Sequence, residues 1–383
     1  MRLLWINRYA SFRGGCEYYI HQTAQLLSER GVYSTLLCIE EDTPDPDYCA
    51  PFDHIVHNIC SIENAYDAVF IHHGSKEIVQ EFINGKSPVI YFFHDLEPFC
   101  LRGSKMVPWT NEPCKTHCSR KCYPLGFYLK RSPNALGFEI NTFSKLSRFH
   151  SVVKNCDAFI VASDYMFLQL EEFGYDKDKV EKIPLYALCP KQQEECLQED
   201  DLILFVGSLI KGKGVDTLLE SLYLSRKPFR CAIAGDGNLR ESLLSKVKEL
   251  GISQRVVFLG KISHENLYQW YSRAMCVVLP ARAPESFGIS GIEAMAHKKP
   301  VIATNLGGVT EWLKDGVNGI VVPPNDVLRL TGAIETLLNH PDYARELGLQ
   351  GNVIYQENFT PNQHVNHLMK CLKRLIEKER CEV

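Results

Sequence analysis

Short apolar runs alternate with longer segments of helical periodicity along the whole chain. The apolar runs cover residues 2–6, 32–39, 68–72, 88–93 and 158–162 in the first half, and 202–206, 230–234, 256–259, 276–279, 301–303 and 319–322 in the second. Such short buried runs, separated by helices, are typical of parallel strands joined by crossover connections. Two successive sets predict two doubly wound α/β domains of the Rossmann type.

A polar, acidic stretch with two prolines, residues 184–201, separates the two sets. We therefore predict an N-terminal domain over residues 1–185 and a C-terminal domain over residues 186–362. The last helical pattern, near 363–379, has no strand after it. We expect residues 363–383 to pack back on the N-terminal domain.

Composition narrows the class of protein. A length of 383 residues suits two domains, since domains usually have about 100–200 residues. The 42 basic and 46 acidic residues give a net charge of −4, which argues against a nucleic-acid partner. No apolar run is long enough to span a bilayer, and Asn7 and Arg8 interrupt the first one too early for a signal peptide. We therefore expect a cytoplasmic protein. Basic residues among aromatic ones would allow peripheral contact with the inner face of the membrane, namely Lys130, Arg131, Lys145 and Arg148.

The densest group of candidate functional residues follows the apolar run that ends at Leu279. Glu285 falls in a predicted loop, a helix is expected to start near Phe287, and Glu293 falls inside that helix. The first N–H groups of a helix lack internal partners and suit a diphosphate, and Gly288 would let an anion approach the backbone closely. Each carboxylate could accept hydrogen bonds from different hydroxyls of one long ligand.

At these residues the chain resembles the family-4 retaining glycosyltransferases of the GT-B fold, in which two Rossmann-type domains face a central cleft. The central motif is E-x7-E, Glu285 to Glu293, inside ESFGxxxxEAMA. The resemblance is ordered over residues 201–326 and more scattered over 1–185. It is carried further by residues 299–303, 305–308, 311, 315–316 and 318–319, by 205–209, 213–214, 234–237 and 258–260 upstream, and by 14–15 and 94–95 near the start.

The resemblance implies a role for each matching residue. Glu293 would hold the ribose of a nucleotide-diphospho-sugar, and Glu285 would hold hydroxyls of the transferred sugar. Lys213 would neutralise charge on the leaving group, and His94 would contact the donor sugar near the reaction centre. The remaining donor-binding positions are Gly14, Gly15, Gly207 and Ser208, with the backbone of Phe287, Gly288 and Ile289.

One position departs from the family pattern. Ser208 stands where the family usually has a basic residue, so Lys211, or Lys213 together with the helix N-terminus, would have to supply the missing positive charge. We find no Asp-x-Asp after a predicted strand, and we expect catalysis without a metal cofactor. The resemblance further implies retention by attack from the leaving-group face.

The reaction predicted from these residues is hexosyl transfer from a nucleotide-diphospho-sugar to a glycan or lipid-linked acceptor, such as a polysaccharide precursor. Two alternatives stay open on the same fold. One is a nucleotide-sugar hydrolase or epimerase, and the other is a non-catalytic nucleotide-sugar-binding regulator, which the serine at position 208 would suit. A dinucleotide oxidoreductase is disfavoured because no G-x-G-x-x-G follows the first apolar run.

Four cysteines are close together in the sequence, and we call Cys100, Cys114, Cys118 and Cys122 the cysteine cluster. Four thiolates suit tetrahedral zinc, and an intracellular setting disfavours disulfides. The cluster therefore predicts a structural zinc site within an insertion at residues 100–122. An iron–sulfur cluster, free thiols and disulfides are the alternatives.

Overall fold

The computed structural model describes residues 1–40, 43–62, 66–107, 109–119, 122, 129–131, 138–189 and 198–382. For residues 129–131, 138–140 and 379–382 it describes the backbone alone. The chain forms two compact units. The amino-terminal unit comprises Met1–Gly103, His117–Pro184 and Pro361–Val383, and the carboxyl-terminal unit comprises Ser104–Thr116 and Leu185–Thr360. Part of the predicted cysteine-rich insertion, residues 104–116, thus groups with the carboxyl-terminal unit, unlike our expectation.

The amino-terminal unit is built on a seven-stranded parallel sheet with the order β3-β2-β1-β4-β5-β8-β9. Its strands are β1 (Arg2–Asn7), β2 (Tyr33–Cys38), β3 (His54–Val56), β4 (Ala68–Ile71), β5 (Val89–Phe93), β8 (Ala158–Val161) and β9 (Val180–Lys182). An antiparallel pair, β6 (Leu129–Arg131) and β7 (Phe138–Ile140), stands apart from this sheet. The helices are α1 (Gly15–Ser28), α2 (Pro46–Cys49), α3 (Lys76–Ile83), α4 (Phe143–Val153), α5 (Asp164–Glu172) and α12 (Pro361–Glu382).

The carboxyl-terminal unit has a six-stranded parallel sheet with the order β12-β11-β10-β13-β14-β15. Its strands are β10 (Leu202–Val206), β11 (Arg230–Ala234), β12 (Val256–Gly260), β13 (Cys276–Leu279), β14 (Val301–Thr304) and β15 (Gly319–Val322). The helices are α6 (Val215–Leu224), α7 (Arg240–Glu249), α8 (His264–Arg273), α9 (Ile289–Ala296), α10 (Val327–Asn339) and α11 (Pro341–Asn358).

The first strand of each unit lies inside its sheet, and the chain winds outward from it in both directions. The strand order therefore reverses between β1 and β4 in one unit and between β10 and β13 in the other. Loops that leave the carboxyl ends of two such strands diverge and open a crevice, where doubly wound folds bind ligands. The predicted fold class, with two parallel-sheet α/β domains, is confirmed.

Some elements differ from the sequence predictions. The two edge strands β3 and β9 were missed because three residues are too few to show a period. Helix α1 was expected over 17–30 and instead begins at Gly15, so the expected glycine loop runs directly into its first turn. Helix α12 joins the amino-terminal unit, where Arg30 donates hydrogen bonds to Asn362 and Asn366.

The structure also bears on the membrane expectation. Among the described residues, no helix combines the length and the apolar composition that crossing a bilayer requires. Of the basic residues considered for peripheral contact, Lys145 and Arg148 are exposed on α4. The side chains of Lys130 and Arg131 lie outside the described residues.

Candidate functional site

The candidate site lies at the point of strand-order reversal in the carboxyl-terminal unit. Strands β10 and β13 pair in parallel, with Ile203 opposite Cys276 and Leu204 opposite Val277. Their following loops, residues 207–214 and 280–288, therefore leave the same edge of the sheet. Nearly all of the residues that the sequence assigned to donor binding in this half belong to these two loops or to α9.

Backbone contacts hold the two loops against each other. Gly214 has φ +68°, and a Cβ there would lie 2.0 Å from the carbonyl oxygen of Pro280, so only glycine permits this approach. The backbone N–H of Arg282 donates to the carbonyl of Gly212 over 2.8 Å. The buried guanidinium of Arg282 also pairs with Asp216 at 2.9 Å. These contacts fix the backbone on either side of Lys213.

Lys213 and Glu285 are in direct contact. The Nζ atom of Lys213 lies 2.7 Å from Oε1 and 2.8 Å from Oε2 of Glu285, and the two side chains are 31% and 21% exposed. A lysine ammonium has three N–H donors, and two are used here, which leaves one for a further acceptor. Both residues are therefore half-buried, oriented by each other, and still accessible to a ligand.

The backbone of Glu285 is held by the loop that follows β14. Gly308 N–H donates to the carbonyl of Glu285 over 2.7 Å. Gly307 has φ +68°, and a Cβ at this position would lie 2.1 Å from the Glu285 carbonyl oxygen. The two adjacent glycines, Gly307 and Gly308, thus allow the close approach that orients the Glu285 backbone.

Helix α9 begins four residues after Glu285. Gly288 caps the helix in the left-handed region with φ +88°, which favours glycine. The preceding residue, Phe287, is fully buried, and its carbonyl accepts a 2.7 Å hydrogen bond from Nε1 of Trp312. The first-turn N–H groups of a helix lack intrahelical partners and carry a partial positive charge, so this end of α9 suits an anion.

Glu293 lies in the same helix, about 7.5 Å further along its axis than Gly288 at 1.5 Å per residue. Its side chain is buried, and Oε2 accepts a 2.8 Å hydrogen bond from the hydroxyl of Tyr271. Burial raises the pKa of Glu293 to about 7, although the Tyr271 hydrogen bond acts in the opposite direction. The neighbouring His264 has Nδ1 3.8 Å from Glu293 Oε1, and burial lowers the pKa of this imidazole to about 4.

The loop after β10 contains the remaining predicted positions of this unit. Gly207 has φ +154° and donates its N–H to the carbonyl of Ala234 over 3.0 Å. Ser208 and Lys211 are exposed. Compensation for Ser208 by Lys211 stays a prediction, whereas Lys213 is already in contact with Glu285.

Three predicted positions belong to the amino-terminal unit. Gly14 and Gly15 are exposed at the start of α1, and His94 follows β5. Nε2 of His94 lies 2.7 Å from Nδ1 of His72. Burial, with smaller contributions from His72 and His73, holds the pKa of His94 well below its usual value, so this imidazole is neutral. Donor contacts by Gly14, Gly15 and His94 stay predictions.

The cysteine cluster is divided between the two units. Cys100, Cys118 and Cys122 are buried in the amino-terminal unit, whereas Cys114 belongs to the other unit and lies 3.0 Å from the hydroxyl of Thr116. Burial raises the pKa of Cys118 to about 12, with a further contribution from Cys122. Within the described ranges, no three of these sulfur atoms lie within 4.8 Å of one another. Zinc at the cysteine cluster stays a prediction, and binding would require this segment to rearrange.

Sequence reasoning missed the residues that position the predicted ones. Tyr271 and His264 face Glu293 from α8, and nothing in their local sequence indicates that contact. Arg282 had a detectable signal, because a charged residue directly after a buried strand is a candidate for the site. Trp312 lies far from Phe287 in the sequence, and the fold alone brings them together.

Comparisons with known proteins agree with this geometry. Residues 191–354 match the family model described as glycosyl transferases group 1. The alpha-D-kanosaminyltransferase of Streptomyces kanamyceticus is 36% identical over 149 residues, which cover 38% of this chain and 38% of that protein. Across the first curated relatives, the aligned part spans between 37% and 58% of the relative's length.

Solved structures match nearly the whole chain. Sucrose-phosphate synthase from Thermosynechococcus elongatus has a TM-score of 0.75 at 20% identity and covers 98% of this chain and 99% of its own. Anabaena HepE in complex with UDP has a TM-score of 0.69 at 17% identity, with coverage of 98% and 100%. At these identities the likeness concerns the fold. The chain thus has the GT-B fold of such structures, and its residues 191–354 carry the sequence pattern of glycosyl transferases group 1.

Proposed function

We propose that the chain is a retaining, metal-independent glycosyltransferase that transfers a hexosyl group from a nucleotide-diphospho-sugar to a glycan or lipid-linked acceptor. The observation that carries the proposal is the contact of Lys213 with Glu285, four residues before the start of α9. The buried Glu293 lies about one and a half helical turns after Gly288, the N-cap of that helix. An ammonium and a helix N-terminus thus accompany two carboxylates, as expected of a site that binds a diphosphate, a sugar and a ribose.

The proposed chemistry follows from where charge develops. As the bond between the sugar and the diphosphate breaks, negative charge accumulates on the leaving phosphate. The third N–H of the Lys213 ammonium and the N–H groups at the start of α9 would stabilise that charge without reorganisation. Glu285 would orient Lys213 while accepting hydrogen bonds from sugar hydroxyls. The retaining course, with attack from the leaving-group face, rests on the family resemblance.

We propose the class of donor nucleotide from the solved structures of similar fold, and a binding screen tests it directly. HepE has been solved with UDP and with UDP-glucose, so uridine nucleotides are the first donors to test. A thermal-shift screen across nucleotide-sugars should give one class whose stabilisation increases with concentration, as expected of a ligand that binds the folded state. Uniform results for all nucleotides would contradict selective donor binding.

The decisive experiment incubates that donor with and without candidate acceptors and measures nucleoside diphosphate release. Release that depends on an acceptor, with retained anomeric configuration in the product, supports the proposal. Release into water alone would indicate a hydrolase, and binding without release would indicate a regulatory protein. Glu293→Ala should weaken nucleotide binding, whereas Glu285→Ala should lower turnover more than binding. Glu241→Ala, at an exposed position of α7, is the matched control.

We propose a lipid-linked acceptor as one form of this reaction because Lys145 and Arg148 are exposed together on α4. Basic side chains near a membrane surface are attracted to anionic lipid. Co-sedimentation with vesicles of mixed neutral and anionic lipid should fall when both residues are replaced by glutamate. Equal sedimentation of the variant would leave a free glycan as the acceptor to pursue.

A further inference from the structure

The amino-terminal unit has a group of ligand-type side chains at its own point of strand-order reversal. Strand β1 ends at Asn7, His73 follows β4, and Asp95 follows β5. Helix α1 begins beside them and carries Cys16 and Glu17 in its first turn. The topology of the sheet therefore gathers a thiol, an imidazole and two carboxylates at one edge.

The separations within this group suit a metal ion. One ligand atom each from Cys16, Glu17 and His73 lie within 4.8 Å of one another, and this is the single group of that kind among the described residues. The Sγ atom of Cys16 is 3.7 Å from Nδ1 of His73. Ligands of a tetrahedral zinc ion, bound at about 2.0–2.3 Å, are about 3.3–3.8 Å apart. Because Nδ1 faces Asn7, the ion would bind the other ring nitrogen of His73, Nε2, and the Cys16 and Glu17 side chains would move towards that nitrogen to complete three bonds.

Burial and hydrogen bonding orient the imidazole. Asn7 donates from Nδ2 to the carbonyl of Tyr9 at 3.0 Å, so its Oδ1 faces Nδ1 of His73 at 2.8 Å and accepts the ring proton. The lone pair of His73 is then on Nε2, which lies 3.9 Å from Oδ2 of Asp95. A metal-binding histidine commonly donates its other N–H to such a partner, which fixes the ring.

The group is shielded yet accessible. Glu17 is only 5% exposed, whereas the His73 side chain is 23% exposed, so an ion can enter from solvent and then lose most of its water. Two carboxylates, Glu17 and Asp95, contribute negative charge that favours a cation. A thiol and an imidazole in the same group favour zinc over magnesium or calcium, which prefer oxygen ligands only.

We propose that Cys16, Glu17 and His73 bind one divalent cation of the zinc class, with Asp95 or water as the fourth ligand. On binding, the Cys16 thiol loses its proton to solvent and the sulfur forms the metal bond, so one proton is released for each ion bound. The ion would connect the start of α1 to the loops after β4 and β5. The inference does not depend on the proposed transferase activity, because ion binding is measured without substrate.

The test uses the full chain, treated with a chelator and titrated with Co²⁺, a spectroscopic substitute for Zn²⁺. We expect thiolate-to-cobalt charge-transfer absorption, its loss when Zn²⁺ is added, and a rise in the melting temperature with Zn²⁺. Cys16→Ser and His73→Ala should each lower the stoichiometry by one ion, whereas Cys60→Ser, at an exposed cysteine of the same unit, should not. Repeating the comparison in a Cys118→Ser background separates this site from the cysteine cluster.

Two further variants keep the test decisive. Asn7→Ala should weaken binding by about 10- to 100-fold while the stoichiometry stays the same, since it removes only the partner of the ring. If Cys16→Ser fails to fold, Glu17→Gln takes its place in the test. This substitution removes the carboxylate charge without changing the shape of the side chain, and it must weaken cobalt binding. Full stoichiometry and an unchanged cobalt spectrum in the folded Cys16 and His73 variants would overturn the inference.

Discussion

Replacing Glu293 by glutamine should stabilise the carboxyl-terminal unit above pH 7 and, at the same time, weaken nucleotide binding. Burial raises the pKa of Glu293 in the folded chain to about 7, against an ordinary value of 4.5. Between these pH values the folded state holds a proton that the unfolded state has released. The free energy of unfolding of the native protein therefore falls as pH rises through this window, by the linkage of protonation to stability.

The size of the effect follows from the two pKa values. One pKa unit corresponds to about 1.4 kcal/mol, so a rise from 4.5 to about 7 costs the folded state about 3 kcal/mol once the carboxylate is ionised. Glutamine never ionises and can still accept the hydrogen bond from Tyr271. The difference in unfolding free energy between the variant and the native protein should thus grow from about 1 kcal/mol at pH 5 to about 3 kcal/mol at pH 8.

Urea unfolding at pH 5, 6, 7 and 8, followed by tryptophan fluorescence, measures this difference, since Trp312 is buried in the same unit. Taking the difference between the two proteins removes the pH dependence that comes from titratable groups not in contact with Glu293. Glu241→Gln at an exposed position is the control and should show no trend. A difference for Glu293→Gln that is flat with pH would refute the assignment of a raised pKa to this carboxyl.

The same variant tests the proposed ribose contact. The ionised carboxylate accepts two hydrogen bonds, and an amide offers only one acceptor oxygen. With a pKa near 7, the ionised fraction rises about tenfold between pH 6 and pH 8, so nucleotide-sugar affinity should rise by up to that factor in the native protein and stay level in the variant. Titration calorimetry at the two pH values measures it, and equal slopes would contradict the contact.

Three further outcomes are expected. Lys213→Met removes a charge aimed at the leaving group, so turnover in the nucleoside diphosphate release assay should fall about 10²–10³-fold while the melting temperature changes little. Unchanged turnover would exclude that role for Lys213. Gly291→Ala should lower the free energy of unfolding by about 1–3 kcal/mol in urea unfolding, because its Cβ would lie 2.1 Å from Trp312. Gly332→Ala, on α10, has open space and should be neutral or stabilising by up to about 1 kcal/mol. Equal effects of the two substitutions would contradict the packing argument. Anaerobically purified protein should lose one equivalent of zinc in Cys114→Ser if the cysteine cluster binds it. An equal zinc content in the native protein and the variant would rule that site out, whatever ion Cys16, Glu17 and His73 hold.

Local sequence patterns were sufficient to predict the two-domain α/β architecture. Each parallel strand with a buried run of four or more residues was predicted within one or two positions, because a strand enclosed on both faces must be continuously apolar. The glycines at 207, 214, 288 and 307 also had visible signals, since backbone that must enter the left-handed region or approach another chain segment excludes other residues. The strands with three residues at the sheet edges gave no such signal.

The sequence by itself determined two doubly wound domains and the acidic, basic and glycine residues of the candidate site, because burial and backbone geometry restrict which residue types can stand at each position. Tertiary structure alone decided which of them meet. The reversal of strand order between β10 and β13 brings Lys213 against Glu285, packing of α8 on α9 places Tyr271 and His264 at Glu293, and the reversal between β1 and β4 gathers Cys16, Glu17 and His73. Such contacts join residues far apart in the chain, and their energy depends on distance and burial, which local patterns do not contain.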